Sequence, residues 1–146
     1  MSSRIGGEGA DVEALVAELA EVRKYVESLQ NSIAQLASEL QEIRISREAL
    51  EYISSQPGGG ETLISLDRRG HTYVKGVISE TRLVVAHIGS NYYAEVPVDL
   101  AVKLLNEKES DVMRSLQMVQ GELNKILTYY HQLQEAINKA LREQQK

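Results

Sequence analysis

Two long heptad-patterned segments flank a short stretch of β-type runs, an order that predicts a mainly α fold: a long antiparallel coiled-coil helical hairpin with two central β-hairpins. Three observations carry this reading. Apolar residues recur at 3-4 spacing on both sides of the centre, Ser54-Ser55-Gln56-Pro57-Gly58-Gly59-Gly60 interrupts the first seam, and 63–96 holds short runs of β-branched and aromatic residues separated by turn residues. The division that follows is a flexible tail over 1–10, a coiled-coil helix over 11–56, the β-hairpins over 57–97, and a second coiled-coil helix over 98–146.

The tail is rich in Ser and Gly and is expected to be disordered. From Val12 the a positions read Val12, Leu19, Val26, Ile33, Leu40 and Arg47, and the d positions Leu15, Val22, Leu29, Leu36, Ile43 and Leu50. Only Arg47 breaks this apolar seam. The helix is expected to stop at the Pro-Gly-Gly-Gly run, because proline lacks the N–H a helix interior needs.

The β-type runs cover 63–66, 72–78, 83–88 and 92–96. Asp67-Arg68-Arg69-Gly70 and Gly89-Ser90-Asn91 each contain the glycine a tight reversal favours, and Ser79-Glu80-Thr81 bridges the two hairpins. Leu83-Val84-Val85-Ala86 is apolar without alternation, which predicts that both faces are covered, yet so small a sheet has too few neighbours of its own to cover them. Its faces and edges call for a partner.

After Val96-Pro97 a second helix is expected, with Asp99 at its first turn opposing the positive end of the dipole. Its seam has one row of Leu105, Val112, Val119, Ile126, Leu133 and Ala140, and another of Val102, Glu109, Leu116, Leu123, Tyr130 and Ile137. Each helix has roughly 45 residues and would span about 65 to 70 Å at 1.5 Å per residue, so antiparallel seams can match along their length. The seam's two charged intruders, Arg47 and Glu109, then fall beside each other near the hairpins and are expected to form a partly exposed pair.

Composition limits the function. Of the 146 residues 42% are hydrophobic, and the two seams use most of them, so no large globular core is left. There is no cysteine, hence no disulfide, thiolate zinc site or cysteine nucleophile, in keeping with a reducing, cytoplasmic location. No signal peptide or membrane span is visible, and a net charge of -5 without a basic cluster argues against nucleic acid and membrane partners. His71, His87 and His131 are too scattered for a metal site, and Gly58-Gly59-Gly60 has no following Lys-Ser/Thr for a phosphate loop. The carboxylates lie at solvent-facing heptad positions with no buried acid and base among them. Neither a catalytic site nor a cofactor is expected.

The order of long helix, two hairpins and long helix, together with Tyr73-Val74-Lys75-Gly76 and Leu83-Val84-Val85-Ala86-His87-Ile88-Gly89-Ser90-Asn91-Tyr92-Tyr93-Ala94-Glu95, resembles the α class of archaeal prefoldin subunits over essentially all the chain after the tail. Two hairpins, where the β class has one, point to the α class. The resemblance implies a hexamer of two α and four β subunits, in which the hairpins build a double β-barrel platform and the coiled coils hang from it as tentacles. It also implies a chaperone that holds non-native proteins without nucleotide and passes them to a group II chaperonin. The subunit interface would then use Leu63, Ile64, Leu66, Tyr73, Val74, Val77, Leu83, Val84, Val85, Ile88, Tyr92, Tyr93 and Val96. Asp67-Arg68-Arg69-Gly70-His71-Thr72 departs from the family by being more charged than a Gly-rich turn.

Residue physics supports the same mechanism. At the distal end Val16 adds to Val12, Leu15 and Leu19, and Leu141 adds to Leu133 and Ile137, widening the apolar stripe where helix ends fray. These seven residues are the expected client contacts. Glu8, Asp11, Glu13, Glu18 and Glu21 oppose Lys139, Arg142 and Lys146 there, charges that either stabilise helix ends or dock a chaperonin. Tyr130 is a seam residue read as core, and the Tyr129-Tyr130 pair is left between that reading and a client contact. The competing function is a coiled-coil adaptor or tether that dimerises through its hairpins.

Overall fold

The structure, a computed structural model, describes residues 9–56 and 60–145. Along them run α1 (Gly9–Ser54), β1 (Glu61–Ser65), β2 (Tyr73–Val77), β3 (Leu83–Gly89), β4 (Tyr92–Pro97) and α2 (Val98–Gln144). All six elements agree in type and order with the sequence expectation. Gly9 and Ala10 already belong to α1, while the rest of the expected tail and Pro57-Gly58-Gly59 lie outside the described residues.

These residues fall into two units, one formed by α1 up to Ser38 and the chain from Met113 onward, the other by Glu39–Val112. In the first, the seam residues Val22, Leu29, Leu133 and Ile137 are buried. Tyr25 Oη donates to Glu122 Oε1 at 3.3 Å, and Tyr129 Oη donates to Glu18 Oε1. One heptad up α1, from Glu18 to Tyr25, matches one heptad down α2, from Tyr129 to Glu122. The helices there are antiparallel.

In the second unit Leu40 and Ile43 of α1 are buried, as are Val98, Ala101 and Val112 of α2 and Val96 of β4. α1 finishes with a tightened turn in which the Ser55 N–H donates to the carbonyls of Glu51 and Tyr52, and Ser54 Oγ also bonds the Glu51 carbonyl. α2 starts directly after β4, its Val98 N–H donating to the Arg82 carbonyl at 3.0 Å, with Asp99 in the first turn as expected.

The strands form two separate antiparallel pairs, β1 with β2 and β3 with β4. In the first, Ile64 faces Val74 and Thr62 faces Gly76. β1 begins two residues before the apolar run that predicted it, because Glu61 and Thr62 complete the ladder opposite Val77 and Gly76. The charged turn between β1 and β2 is organised by Asp67, whose carboxylate accepts from the backbone N–H groups of Arg69, His71 and Thr72 and contacts His71 Nδ1 at 3.1 Å. Partial burial pushes that carboxyl up, but these donors outweigh it and hold it below its ordinary range. An Asp-centred turn therefore replaces glycines here, with Gly70 alone taking a left-handed φ of 74°.

Candidate functional site

Pleating divides the second hairpin into two faces. Val84 pairs with Val96 and Ala86 with Ala94 on one; Val85 pairs with Glu95 and His87 with Tyr93 on the other. The first face packs within the chain, with Val96 only 8% exposed and Val84 half-buried. Beside it Leu50 of α1 and Ala101, Leu104 and Leu105 of α2 line a cavity of about 250 Å³. The other face is open at Val85, which is 70% exposed, while His87 farther along it is half-buried beside Lys108 of α2. The expectation that both faces of 83–86 are covered is thus met on one face only in this single chain, because no second layer of the chain's own lies over Val85.

The first hairpin is open more widely, with Leu63, Ile64, Tyr73, Val74 and Val77 all exposed. Leu66, Leu83, Ile88, Tyr92 and Tyr93 are exposed too. Of the expected interface residues, only Val84 and Val96 turn inward to the chain's own packing. Ile88 lies at a register shift between His87 and Gly89, where the extra residue of a β-bulge twists the strand. So much clustered apolar surface on short, two-stranded sheets with unpaired edges marks an interaction surface.

The charged intruders of the seam meet as expected. Arg47 and Glu109 stand 2.9 Å apart with side chains 23% and 19% exposed. Sequence reasoning missed two further members: Arg44 Nε donates to Glu109 Oε2 at 2.9 Å, and Arg47 Nη1 also donates to Asn106 Oδ1 at 2.9 Å. Their signal was present, since each lies three residues, about one turn, before a member of the pair on its own helix. Hydrogen bonds from Arg47 and then Arg44 hold the Glu109 carboxyl below the usual range.

At the coiled-coil end the seven expected client contacts separate into two kinds. Leu133 and Ile137 are buried in the seam, while Val12, Leu15 and Leu19 are half-buried. Val16 and Leu141, singled out as additions to the stripe, are 49% and 44% exposed. Tyr130 is half-buried with its ring edge-on to His131, and Tyr129 is taken up by Glu18.

Each histidine has a local partner. His71 sits on Asp67, and His131 Nδ1 lies 3.4 Å from Gln134 Oε1. His87 Nε2 faces the Ser90 carbonyl, to which it must donate, so its Nδ1 is left to accept from Lys108 Nζ at 3.3 Å. These contacts brace the second hairpin against α2 within one unit. No helix among the described residues is long and apolar enough to cross a membrane.

A coiled-coil hairpin with open apolar strands belongs to the class of coiled-coil assembly subunits. More particularly, the chain belongs to the prefoldin family, whose model, described as a prefoldin subunit, matches residues 22–143. It is 32% identical over 135 residues to prefoldin subunit alpha of Saccharolobus islandicus, covering 91% of this chain and 89% of that protein. It is 34% identical over 133 residues to prefoldin subunit alpha of Metallosphaera sedula, covering 91% of each. Among solved structures, a chain of filamentous PFD from Methanocaldococcus jannaschii matches with a TM-score of 0.65 and 16% identity, over 83% of this chain and 96% of that one, a likeness of fold. Membership of the family implies assembly with other prefoldin subunits.

Proposed function

We propose that this chain is the α-class subunit of an ATP-independent holdase, which binds non-native proteins at its coiled-coil ends and delivers them to a group II chaperonin. The observation that carries the reading is the pairing of a long seam with two hairpins whose apolar residues lie open, a combination an adaptor coil has no use for. In this reading two copies of the chain join four single-hairpin β-class subunits through the exposed strand residues, and the hairpins close a β-barrel platform. Client contact falls to Val12, Leu15, Val16, Leu19, Leu133, Ile137 and Leu141, with Val16 and Leu141 meeting it first because they are already exposed. Burial of such side chains contributes roughly 1.5 to 3 kcal/mol each at most, so several weak contacts spread over several coils give releasable binding. The complex works in the cytoplasm and catalyses no covalent step.

The test is native mass spectrometry of the complex isolated from its own cell extract, paired with light scattering of a refolding client. A hexamer with two copies of this chain that suppresses aggregation is expected. A homodimer that leaves the client as turbid as buffer does would return the chain to the adaptor class.

A further inference from the structure

The cross-helix bonds of the first unit frame a groove of about 540 Å³. Its base is apolar, made by the seam residues Val22 and Ile126, and its walls include the rings of Tyr25 and Tyr129. Glu18, Glu21 and Glu122 rim it together with Lys125, and Glu21 is itself paired with Lys24 at 3.6 Å, so Glu18 and Glu122 are the rim carboxylates without an ion pair of that kind. The four residues of the cross-helix bonds share one heptad position, since each directly precedes a seam residue whose next seam neighbour is three residues on: Glu18 before Leu19 and Val22, Tyr25 before Val26 and Leu29, Glu122 before Leu123 and Ile126, and Tyr129 before Tyr130 and Leu133. That position faces its own kind across an antiparallel pair, so over these two heptads one flank of the coil pairs tyrosine with glutamate twice.

We propose that this groove takes client segments in which a lysine or arginine adjoins an apolar side chain. The apolar neighbour lies on Val22 and Ile126, while the cation sits between the tyrosine rings and the carboxylates of Glu18 and Glu122, each of which gives one oxygen, Oε1, to a tyrosine hydroxyl. Charge complementarity selects this occupant: three rim carboxylates against the ammoniums of Lys125 and Lys24 leave a net negative charge, which repels an acidic segment and attracts a basic one. The inference rests on the holdase reading and adds to it a preference in charge, sited on the flank that adjoins the widened stripe at Leu19 and made of none of its seven residues.

The test uses the full-length chain and fluorescent peptides of equal length, one alternating Lys with Leu and one alternating Glu with Leu, read by anisotropy. The basic peptide is expected to bind more tightly, by about five-fold, and to lose that advantage as salt rises toward about 1 M. The double substitution Glu18→Gln with Glu122→Gln should abolish the preference. Tyr25→Phe with Tyr129→Phe breaks the same two hydrogen bonds yet leaves the carboxylates, so it should keep the preference. Equal binding of the two peptides overturns the proposal, and so does a tyrosine pair variant that loses the preference as fully as the glutamine pair. Aggregation suppression by the assembled protein, measured in parallel, tests the holdase reading separately: intact suppression without charge preference overturns this inference alone.

Discussion

Arg47 occupies a seam position that heptad geometry reserves for apolar side chains, and it is tolerated because Glu109 and Asn106 accept hydrogen bonds from it while Arg44 holds the other oxygen of Glu109. Glu109 titrates below the ordinary carboxylate range, so its contribution to stability is complete above pH of about 4.3 and is lost as pH falls through the depressed folded value. Thermal melts of the wild type and Glu109→Gln should therefore differ near neutrality and converge in strong acid. Exchanging the charges, Arg47→Glu with Glu109→Arg, should recover part of the loss either single change causes; a double variant as unstable as the sum of the two would contradict direct coupling. Tyr129 behaves in the opposite sense. Its hydrogen bond to Glu18, followed by burial, pushes the phenol up from 10.0 to about 12, so that contribution is intact below pH 10 and is lost as pH rises toward 12. Circular dichroism across this alkaline range should show a fall in wild-type stability that Tyr129→Phe lacks.

At the scale of the element, each helix is held by its seam and each hairpin by its turn. Leu29 and Leu133 are among the most buried side chains of the first unit, and truncating either to Ala should cost about 2 to 5 kcal/mol in urea unfolding. Gly70 is a different case, for its φ of 74° is left-handed and an added Cβ would run into the Tyr73 hydroxyl. Gly70→Ala should cost about 1 to 2 kcal/mol from backbone strain alone. The damage is expected within β1 and β2, as faster amide exchange there with exchange in α1 and α2 unchanged.

At the scale of the whole molecule, the proposed reading assigns assembly to the open strands and client binding to the coil end. A chain shortened to 33–120 keeps both hairpins and the Arg47–Glu109 cluster while removing every expected client contact and the Tyr–Glu groove. It should still assemble with its partner subunits and should no longer suppress aggregation. Retained suppression would move client binding to the hairpins.

Periodicity by itself determined the element order, the two seams and the meeting of Arg47 with Glu109, because a 3-4 apolar repeat leaves an antiparallel helix pair few registers. The exposure of Leu63, Tyr73 and Val77 was equally legible, since two-stranded sheets cannot cover their own faces. Other features needed the tertiary structure. Whether Val84 and Val96 point into the chain or out of it depends on which face of a hairpin lies on the helices, and an unalternating apolar run carries no sign of that choice. Likewise Arg44, Asn106 and the Tyr–Glu flank are ordinary polar residues on solvent-facing positions until the partner helix is in place. Their chemistry arises from reach across the gap between two helices, a distance that no single-helix pattern encodes.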